Sequence, residues 1–418
     1  MNRAASAIWR IESAKLIAVL ARRLRDLDLA EEIAQQVFVE ALEQWERTGI
    51  PDSPGAWLMT AGKHRATDAL RRARRLERTH DALAHETPTT APADFDEAID
   101  DLVGDDLLRL VFVACHPVIS QEARVALTLR LLGGLTTEEI ARAFLVPEPT
   151  IAQRITRAKR TLAEQQVAFE LPRAEDLAAR LDSVLEVIYL VFNEGYSATA
   201  GEEWMRPGLC EDALRLGRIL ASLAPSEPEV HGLVALMEIQ ASRAGARIGP
   251  NGEGVLLLDQ DRTKWDTLLV RRGLDALERA ERSVRERPGP YLLQAAIAAC
   301  HARATLAAQT DWARIAALYD ALAQIAPSPI VDLNRAVAHG MAFGPELGLA
   351  QVDALSHEPS LREYPFLPSV RADLLAKLGR FDEARQEIAR AISLTRNARE
   401  RALFLERSAA YERSAKPA

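Results

Sequence analysis

The sequence predicts an all-α protein built from several helical domains. Apolar residues recur at intervals of three and four over most of its 418 residues, and no segment shows the alternating, β-branched pattern of a strand. A stretch rich in proline and acidic residues, 79–100, interrupts the helical pattern and has the composition of a linker. At roughly 100–200 residues per domain, the length allows two to four domains.

The composition is typical of a globular protein. Hydrophobic residues make up 48% of the chain and charged residues 27%, which excludes a disordered polymer. No apolar stretch approaches the ~20 residues that a bilayer-spanning helix needs, and the first residues lack the apolar segment of a secretory signal. We therefore expect a cytoplasmic protein without a membrane partner.

The cysteines predict neither disulfides nor a metal site. There are three, Cys115, Cys210 and Cys300, and their odd number and wide spacing fit no disulfide framework and no CxxC motif. We expect all three to be buried, free thiols. No metal ion and no cofactor is predicted.

The net charge of -8 hides an uneven distribution. Residues 63–78 contain seven cations, residues 149–160 contain four cations and no acid, and residues 79–108 between them contain nine acids and no cation. Cations beside phosphates provide the sequence-independent part of DNA affinity. The two short basic segments therefore predict two separate contacts with DNA, which an overall negative charge does not exclude.

Three helices are predicted before the linker. Each of the first two has an apolar stripe at helical spacing, and the third extends over residues 56–75 and ends in the first basic segment. The stripe of the first helix contains Ile8, Ile11, Leu16, Val19 and Leu20, and that of the second contains Ile33, Val37, Phe38, Ala41, Leu42 and Trp45.

A helix-turn-helix is predicted after the linker. Thr136 and Glu139 form the pattern of a capping box, and Leu135 precedes them at the position of a hydrophobic staple. A short helix at 137–144 is followed by a turn and by a second helix that begins at the prolines flanking Glu148. The buried stripe of this second helix is predicted to contain Ile151, Ile155, Ala158 and Leu162.

From about residue 171 the spacing of small and apolar residues predicts a tetratricopeptide-like helical array. Matches to the second helix of a 34-residue unit recur in phase, although Ala- and Leu-rich helices also produce such matches by chance. The matching sets are Ala213, Gly217 and Leu220; Trp312, Ile315, Tyr319 and Leu322; Leu347, Ala350 and Ala354; and Phe381, Ala384, Ile388 and Ala391.

One loop or small hairpin, residues 248–262, is predicted to interrupt the array because it holds three glycines and a proline. Its residues Asp259, Asp261 and Arg262 form either a ligand site or, more commonly for such clusters, a local structural network. Asn193, Glu194 and Tyr196 leave the same two alternatives open.

Three motifs, in this order, resemble the extracytoplasmic-function sigma factors of the sigma-70 family. Residues 30–38, AEEIAQQVF, resemble region 2.2, residues 56–72, AWLMTAGKHRATDALRR, resemble regions 2.3 and 2.4, and residues 134–159 are similar to region 4.2. Segments 187–198, 204–207 and 258–262 resemble the subgroup with a tetratricopeptide-like C-terminal extension. The resemblance implies a region 2 domain at 1–78, an acidic flexible linker at 79–104, a region 4 helix-turn-helix domain at 105–168 and the extension at 169–418.

The resemblance also implies a function, that of an RNA polymerase subunit for promoter recognition and melting, which is not an enzyme. The residues implied to bind the β′ clamp helices of core polymerase are Glu31, Glu32, Gln35, Gln36 and Phe38, and the β flap is a further implied partner. Those implied to bind the minus-10 element are Trp57, Lys63, His64, Arg65, Asp68, Arg71, Arg72, Arg74 and Arg75. Those implied to bind the minus-35 element are Glu148, Thr150, Gln153, Arg154, Arg157 and Lys159.

Departures from the family pattern leave the promoter sequence open. His64 replaces the usual Asn, Leu145 replaces the usual Gly of the turn, and two prolines flank Glu148. Trp57 has two interpretations, packing in the core or contact with melted DNA. The extension is expected to regulate or support the first two domains, and its array offers a surface for a protein or peptide.

Two other functions remain as alternatives. The first is a helix-turn-helix regulator with a tetratricopeptide scaffold that acts without polymerase. The second is a hydrolase using His231, His301 or His339, which is disfavoured because the sequence has no nucleophile elbow, metal-ligand spacing or phosphate loop.

Overall fold

The computed structural model describes residues 2–81, 99–144, 146–196, 205–249, 254–395 and 397–415. Within these ranges the chain is helical and forms no β-strand, which confirms the all-α prediction. No described helix combines the length and the apolar composition of a membrane span. The chain divides into two compact units, Met1–Ile188 and Tyr189–Ala418.

In its described residues, the first unit contains seven helices and the start of an eighth. These are α1 (Asn2–Leu24), α2 (Leu27–Thr48), α3 (Pro54–Asp81), α4 (Ile99–Ala114), α5 (Gln121–Leu131), α6 (Thr137–Phe144), α7 (Glu148–Glu164) and α8 (Ala174–Tyr196). Helix α8 continues into the second unit, because the division falls between Ile188 and Tyr189. The acidic linker predicted at 79–104 lies largely outside the described residues, and α4 begins within its last part.

Helix α1 lies at the centre of the first unit. It packs against α2, α3, α4 and α5, so that Ser13, Ala14 and every residue from Leu16 to Ala21 are buried. Leu16, Val19 and Leu20 of the predicted stripe are buried, but Ile11 is 56% exposed, and the burial extends beyond one stripe. A helix that neighbours surround on several sides is apolar around most of its circumference.

Helix α2 follows the predicted pattern. The Asp26 side chain accepts a hydrogen bond from the Leu29 backbone N–H at 3.0 Å and caps its start, and Gly49, with φ at +82°, ends it. Ile33, Val37, Ala41 and Trp45 are buried as predicted.

Helices α6 and α7 form the predicted helix-turn-helix. The Thr136 N–H donates to Glu139 at 2.8 Å and the Glu139 N–H donates to the Thr136 hydroxyl at 3.1 Å, which confirms the capping box. Helix α7 begins after Pro147, and its buried side chains are those predicted. Leu145, the predicted turn residue, lies outside the described residues.

The second unit is a series of helices in which each helix from α12 to α18 packs against the next. After the end of α8 the helices are α9 (Pro207–Leu223), α10 (Pro228–Ser242), α11 (Thr267–Ser283), α12 (Pro290–Arg303), α13 (Trp312–Ile325), α14 (Pro329–Phe343), α15 (Pro345–Ala354), α16 (Phe366–Lys377), α17 (Phe381–Leu394) and α18 (Ala398–Ala415). Sequential packing of this kind is typical of helical repeats.

The residues that match the predicted repeat are buried in α9 and α17 but not in α15. Ala213, Gly217 and Leu220 are buried in α9, and Ala384, Ile388 and Ala391 are buried in α17. In α15 the buried apolar side chains are Leu349 and Val352, whereas the predicted Leu347, Ala350 and Ala354 are exposed. This short helix therefore presents a different face to its neighbours.

The predicted loop lies between α10 and α11. Ile248 and Gly254 form an isolated antiparallel bridge, and the Asp261 side chain caps a single 3-10 turn, Arg262–Lys264, by accepting from the Thr263 N–H. The described part of this segment, residues 248–249 and 254–262, is therefore structured, and its arginine is considered below.

Candidate polymerase and nucleic-acid interfaces

The long helix α3 carries a stripe of side chains that ends in exposed cations. Trp57, His64, Asp68, Arg71 and Arg75 are separated by close to whole numbers of 3.6-residue turns and therefore lie along one side of the helix. All except Trp57 are exposed, as is the adjacent Arg72. The stripe thus begins with an aromatic ring and ends in guanidinium groups, a combination that suits nucleic acid.

Trp57 packs against the core and still reaches the surface. Its ring meets the buried Trp45 edge-on with the ring centroids 5.7 Å apart, and the side chain is half-buried. Both interpretations of this residue are therefore compatible with its position.

Arg65 lies outside the stripe, and its side chain connects α3 to α2. Its Nη2 is 2.8 Å from Glu40 Oε2, and its Nη1 donates to Gln36 Oε1 at 3.3 Å. Lys63 is half-buried, and the side chain of Arg74 lies outside the described part of the chain. Six of the nine residues predicted for the minus-10 element therefore lie on this stripe or directly beside it: Trp57, His64, Asp68, Arg71, Arg72 and Arg75.

One face of α2 is exposed, acidic and rich in glutamine. Glu32, Gln35 and Gln36 project from it next to Val39, which is 54% exposed. These four line a shallow groove together with Glu40, Glu43, Gln44, Arg47 and Arg65. The acids of this groove make it complementary to a cationic surface of another molecule.

The structure separates the other two predicted polymerase residues from this face. Glu31 is only 5% exposed, and Phe38 is half-buried and stacks on Trp9 with the ring centroids 4.6 Å apart. Glu32, Gln35 and Gln36 are thus the members of the predicted set that are open to a partner.

Helix α7 presents its predicted contacts on the side opposite its buried stripe. Glu148, Gln153 and Arg157 are exposed, and Thr150 and Arg154 are half-buried. Because the second helix of a helix-turn-helix enters the major groove, these side chains are placed to reach base edges.

Lys159 is placed apart from the other predicted minus-35 residues. Its Nζ is 2.6 Å from Glu31 Oε2 and 2.7 Å from Asp28 Oδ1, both on α2, and its side chain is 11% exposed. Arg130 of α5 approaches the same carboxylate, with Nε 2.6 Å from Glu31 Oε1. We call Asp28, Glu31, Arg130 and Lys159 the interblock cluster, because it joins the helices before the linker to those after it.

The interblock cluster was not predicted, since its members are far apart in the sequence. A second ion pair connects the same two parts of the unit, with Arg22 Nε of α1 3.1 Å from the fully buried Asp106 of α4. No signal in the sequence indicated the cluster, because Glu31 was assigned with Glu32 to the polymerase-binding set.

The electrostatics of the cluster favour the charged forms. Burial by itself raises the pKa of Glu31, but the positive charges of Lys159 and Arg130 and their hydrogen bonds outweigh it, so that the pKa lies below its ordinary value. Burial likewise lowers the pKa of Lys159, but Glu31 and Asp28 outweigh it and the pKa is raised. Both groups are therefore charged at neutral pH.

The lowered pKa of Glu31 predicts an acid-sensitive stability. The ordinary pKa of a glutamate is 4.5, and the folded pKa of Glu31 lies below it. Between these two values the unfolded chain binds more protons, so the stability that Glu31 contributes is present above about pH 4.5 and is lost as the pH falls through the folded pKa. We expect the free energy of unfolding to fall more steeply below about pH 4 in the wild type than in Glu31→Gln. Urea unfolding at stepped pH measures both slopes, and equal slopes would contradict the role given to Glu31.

Helix α8 makes a further set of contacts that the sequence did not predict. Arg180 Nη2 donates to the Phe112 carbonyl oxygen and the Ser183 hydroxyl donates to the Cys115 carbonyl oxygen, each at 2.7 Å. Glu186 Oε2 is 3.2 Å from Arg124 Nη1 of α5. The first part of α8, although it follows the second basic segment, therefore packs with α4 and α5.

The cysteines and two of the histidines have structural surroundings. Cys115, Cys210 and Cys300 are free and buried, as predicted. A ring nitrogen of His231 lies 2.8 Å from the Pro225 carbonyl oxygen, and His339 Nδ1 lies 2.8 Å from Gln351. In the described ranges no group of three or more His, Cys, Asp or Glu side chains is arranged to hold a metal ion.

Comparison with known proteins decides the family. Residues 10–76 match the model of Sigma-70 region 2, and residues 109–162 match that of Sigma-70, region 4. The chain is 26% identical over 195 residues to the probable ECF RNA polymerase sigma factor SigI of Mycobacterium tuberculosis, covering 44% of this chain and 66% of that protein. The chain belongs to the extracytoplasmic-function (ECF) sigma factors.

Further relatives extend this result. The ECF RNA polymerase sigma-E factor of Haemophilus influenzae is 27% identical over 149 residues, covering 35% of this sigma factor and 78% of the relative. An uncharacterized protein of Rhizobium meliloti is 46% identical over 394 residues, covering 92% and 90% of the two chains. Residues 180–281 match a family of unknown function (DUF6596). The sigma factor thus carries an extra C-terminal domain, which begins within α8.

The two sigma-70 matches contain the surfaces described above. The exposed face of α2 and most of the α3 stripe lie within the region 2 match, and the exposed side of α7 lies within the region 4 match. The interblock cluster therefore joins region 2 to region 4 of this sigma factor.

Proposed function

We propose that this sigma factor binds core RNA polymerase through the exposed face of α2 and directs it to promoters through α3 and α7. The observation that carries the proposal is the separation of these surfaces. Glu32, Gln35 and Gln36 form an acidic and amide face, whereas the cations of α3 and the helix-turn-helix lie on other helices. One protein partner and two segments of DNA can therefore be contacted by different parts of the first unit.

The stripe on α3 suits the minus-10 element, where bases leave the duplex. Its cations neutralise phosphates, and stacking of an unpaired base on an aromatic ring contributes roughly 1–3 kcal/mol. Trp57 is the aromatic side chain at the start of this stripe. Base exposure costs a few kcal/mol, which these contacts offset.

The exposed side of α7 suits the minus-35 element. Arg154 and Arg157 can donate to guanine edges, and Gln153 can pair with adenine. Lys159 is excluded from this set while it is bound to Glu31.

Binding of both elements requires the interblock cluster to open. The minus-10 and minus-35 elements are about 25 base pairs apart, which at ~3.4 Å per pair is roughly 85 Å of duplex. Lys159 and Glu31 are 2.6 Å apart, which holds region 4 directly against region 2. We infer that the described arrangement is that of the free sigma factor, and that polymerase and promoter replace the cluster's contacts.

The C-terminal extension is proposed to support the sigma regions in the same chain. The contacts of Arg180, Ser183 and Glu186 with α4 and α5 favour this role over that of an independent appendage. Its helical array also offers a surface for a protein or peptide. No catalytic activity is proposed.

Reversal of charge on α2 tests the polymerase contact. The double variant Glu32→Lys with Gln35→Ala should bind core polymerase about tenfold or more weakly, because it places a cation on a face proposed to meet a complementary surface. Both side chains are exposed, so the fold should be unchanged. Affinity is measured by titration of labelled sigma factor with core polymerase, and activity by promoter-dependent transcription in vitro.

The matched control is Glu281→Lys, an equal change of charge at an exposed acid of α11. It should bind polymerase like the wild type. Undiminished binding by the α2 variant would contradict the proposed face. DNA binding that needs no polymerase, with no transcription from core enzyme, would instead favour a helix-turn-helix regulator.

A further inference from the structure

An alternating stack of arginines and aromatic rings lies in the second unit, around the loop between α10 and α11. The Arg247 guanidinium carbon is 3.8 Å from the centroid of the Tyr196 ring, and that of Arg243 is 5.7 Å from the same ring. Arg243 also lies 5.8 Å from the Trp265 ring, on which Arg262 lies at 5.1 Å. Three positive charges are thereby brought together.

Among the described residues, no carboxylate pairs with the two arginines at Trp265. Within the described ranges, neither Arg243 nor Arg262 forms an ion pair, although both are half-buried. Arg262 donates to backbone carbonyl oxygens of His301 and Ala304, which fixes its position without neutralising its charge. Buried arginine is normally paired with an acid, so this stack holds an unusual excess of positive charge.

Four residues of this part of the second unit have buried hydrogen-bonding atoms without a partner among the described residues. Arg243 Nε, Arg262 Nε, Trp265 Nε1 and His301 Nδ1 are all buried without a partner. Trp265 is 6% exposed and His301 is 7% exposed. Since buried polar groups are nearly always paired, the unpaired N–H groups of Arg243, Arg262 and Trp265, which belong to one stack, indicate a missing acceptor.

The charge on His301 is also informative. Burial and the nearby charges of Arg243 and Arg262 lower its pKa to about 4, so the imidazole is neutral at neutral pH. Arg262, one of the two arginines, also donates a hydrogen bond to the His301 carbonyl oxygen, which places the two residues side by side. A negative ligand between the two arginines would reverse their effect on this pKa.

We propose that Arg243, Arg262, Trp265 and His301 form a binding site for a small oxyanion, a ligand that presents phosphate or carboxylate oxygens. The three donors of the set, Arg243, Arg262 and the Trp265 indole N–H, require an acceptor, and the two cations require a negative one. Arg243 provides the entry, because it is half-buried and, within the described ranges, its guanidinium lies against the rings of Tyr196 and Trp265 and not against a carboxylate. This site lies in the C-terminal extension and does not depend on the proposed sigma function.

Titration of the full-length chain with two probes tests the site. Inorganic phosphate and acetate are added separately at constant ionic strength, and binding is followed by calorimetry and by the resulting rise in the unfolding temperature. We expect saturable binding of at least one probe. Tighter binding of phosphate assigns a phosphorylated ligand, and tighter binding of acetate assigns a carboxylate.

Variants separate a ligand site from a purely structural stack. Arg243→Gln should weaken the binding about tenfold or more, and Trp265→Phe, which keeps a ring but removes the N–H, should weaken it several-fold. Arg243→Lys retains the positive charge but lacks the planar guanidinium donors. It provides a second test of this position if Arg243→Gln does not fold. Arg287→Gln, at an exposed arginine before α12, should bind like the wild type.

The absence of saturable binding in the wild type would overturn the proposal and leave the stack as a structural feature. Equal binding by wild type and both Arg243 variants would overturn it as well. Because transcription is not measured, either result leaves the sigma function untouched.

Discussion

Replacement of Glu31 by Gln is expected to lower the free energy of unfolding of the first unit by about 3 kcal/mol. The variant leaves Arg130 and Lys159, both largely buried, without the carboxylate that neutralises them. Removal of one partner from a buried ion pair costs far more than the pair contributes, because the remaining charges keep their desolvation penalty. Urea unfolding of the full-length chain, followed by circular dichroism, measures the change.

The same substitution should open the sigma factor. Fluorophores on cysteines introduced at the exposed Thr60 of α3 and Thr156 of α7, in a chain without its native cysteines, report the distance between regions 2 and 4. In Glu31→Gln the transfer efficiency should fall, and affinity for DNA without polymerase should rise because Lys159 is released.

The control for this pair of experiments is Glu46→Gln, an exposed acid near the end of the same helix. It should change neither the stability nor the distance. A double-mutant cycle with Lys159→Met isolates the coupling between the two side chains. We expect Lys159→Met to lower the free energy of unfolding less in Glu31→Gln than in the wild type. Independent, additive losses would show that the ion pair does not hold the regions together.

Truncation after residue 171 should destabilise the first unit, although both sigma-70 regions remain complete. The shortened chain lacks α8, whose side chains Leu181, Val184, Leu185, Val187 and Ile188 are buried. Burial of each such side chain contributes roughly 1.5–3 kcal/mol, so removal of several exceeds the effect of any single substitution discussed here. Promoter-dependent transcription by the truncated protein should fall accordingly.

The thiol of Cys115 provides a direct readout of this truncation. In the full chain burial raises the pKa of Cys115 to about 11, so the thiol reacts slowly with a disulfide reagent. Without α8 the pKa should return towards 9 and the reaction should accelerate roughly tenfold or more. The truncated chain contains no other cysteine, and Cys210→Ser with Cys300→Ser provides the full-length control.

Unchanged thiol reactivity, unfolding temperature and transcription after truncation would contradict a supporting role for the extension. If the truncated chain lost transcription while its Cys115 thiol still reacted slowly, the extension would act in some way other than stabilising the first unit.

Local patterns predicted most of the helices and their capping, because these depend on residues a few positions apart. The capping box of Thr136 and Glu139 and the buried stripe of α7 are examples. The surroundings of α1 were not predictable in this way. Part of its burial results from α4 and α5, which follow long after it in the sequence.

Each candidate surface was predicted as a set of residues. In the structure some members of each set are exposed and others are buried or bound to another helix. Glu31 and Glu32 are adjacent in one motif, yet a turn of 100° per residue directs one into the interblock cluster and the other to the surface. Lys159 and Arg157 are separated in the same way on α7. Which member of a motif is free depends on contacts between distant segments, which one sequence does not reveal.

The central position of α1 has a consequence for synthesis of the protein. Its partners α2 and α3 follow at once, but α5 is complete only at Leu131. At roughly 5–20 residues per second, translation from the end of α1 to that point takes on the order of 5–20 s. During this interval part of the apolar surface of α1 has no partner. The nascent chain therefore presents a site for chaperones before its regions can close on one another.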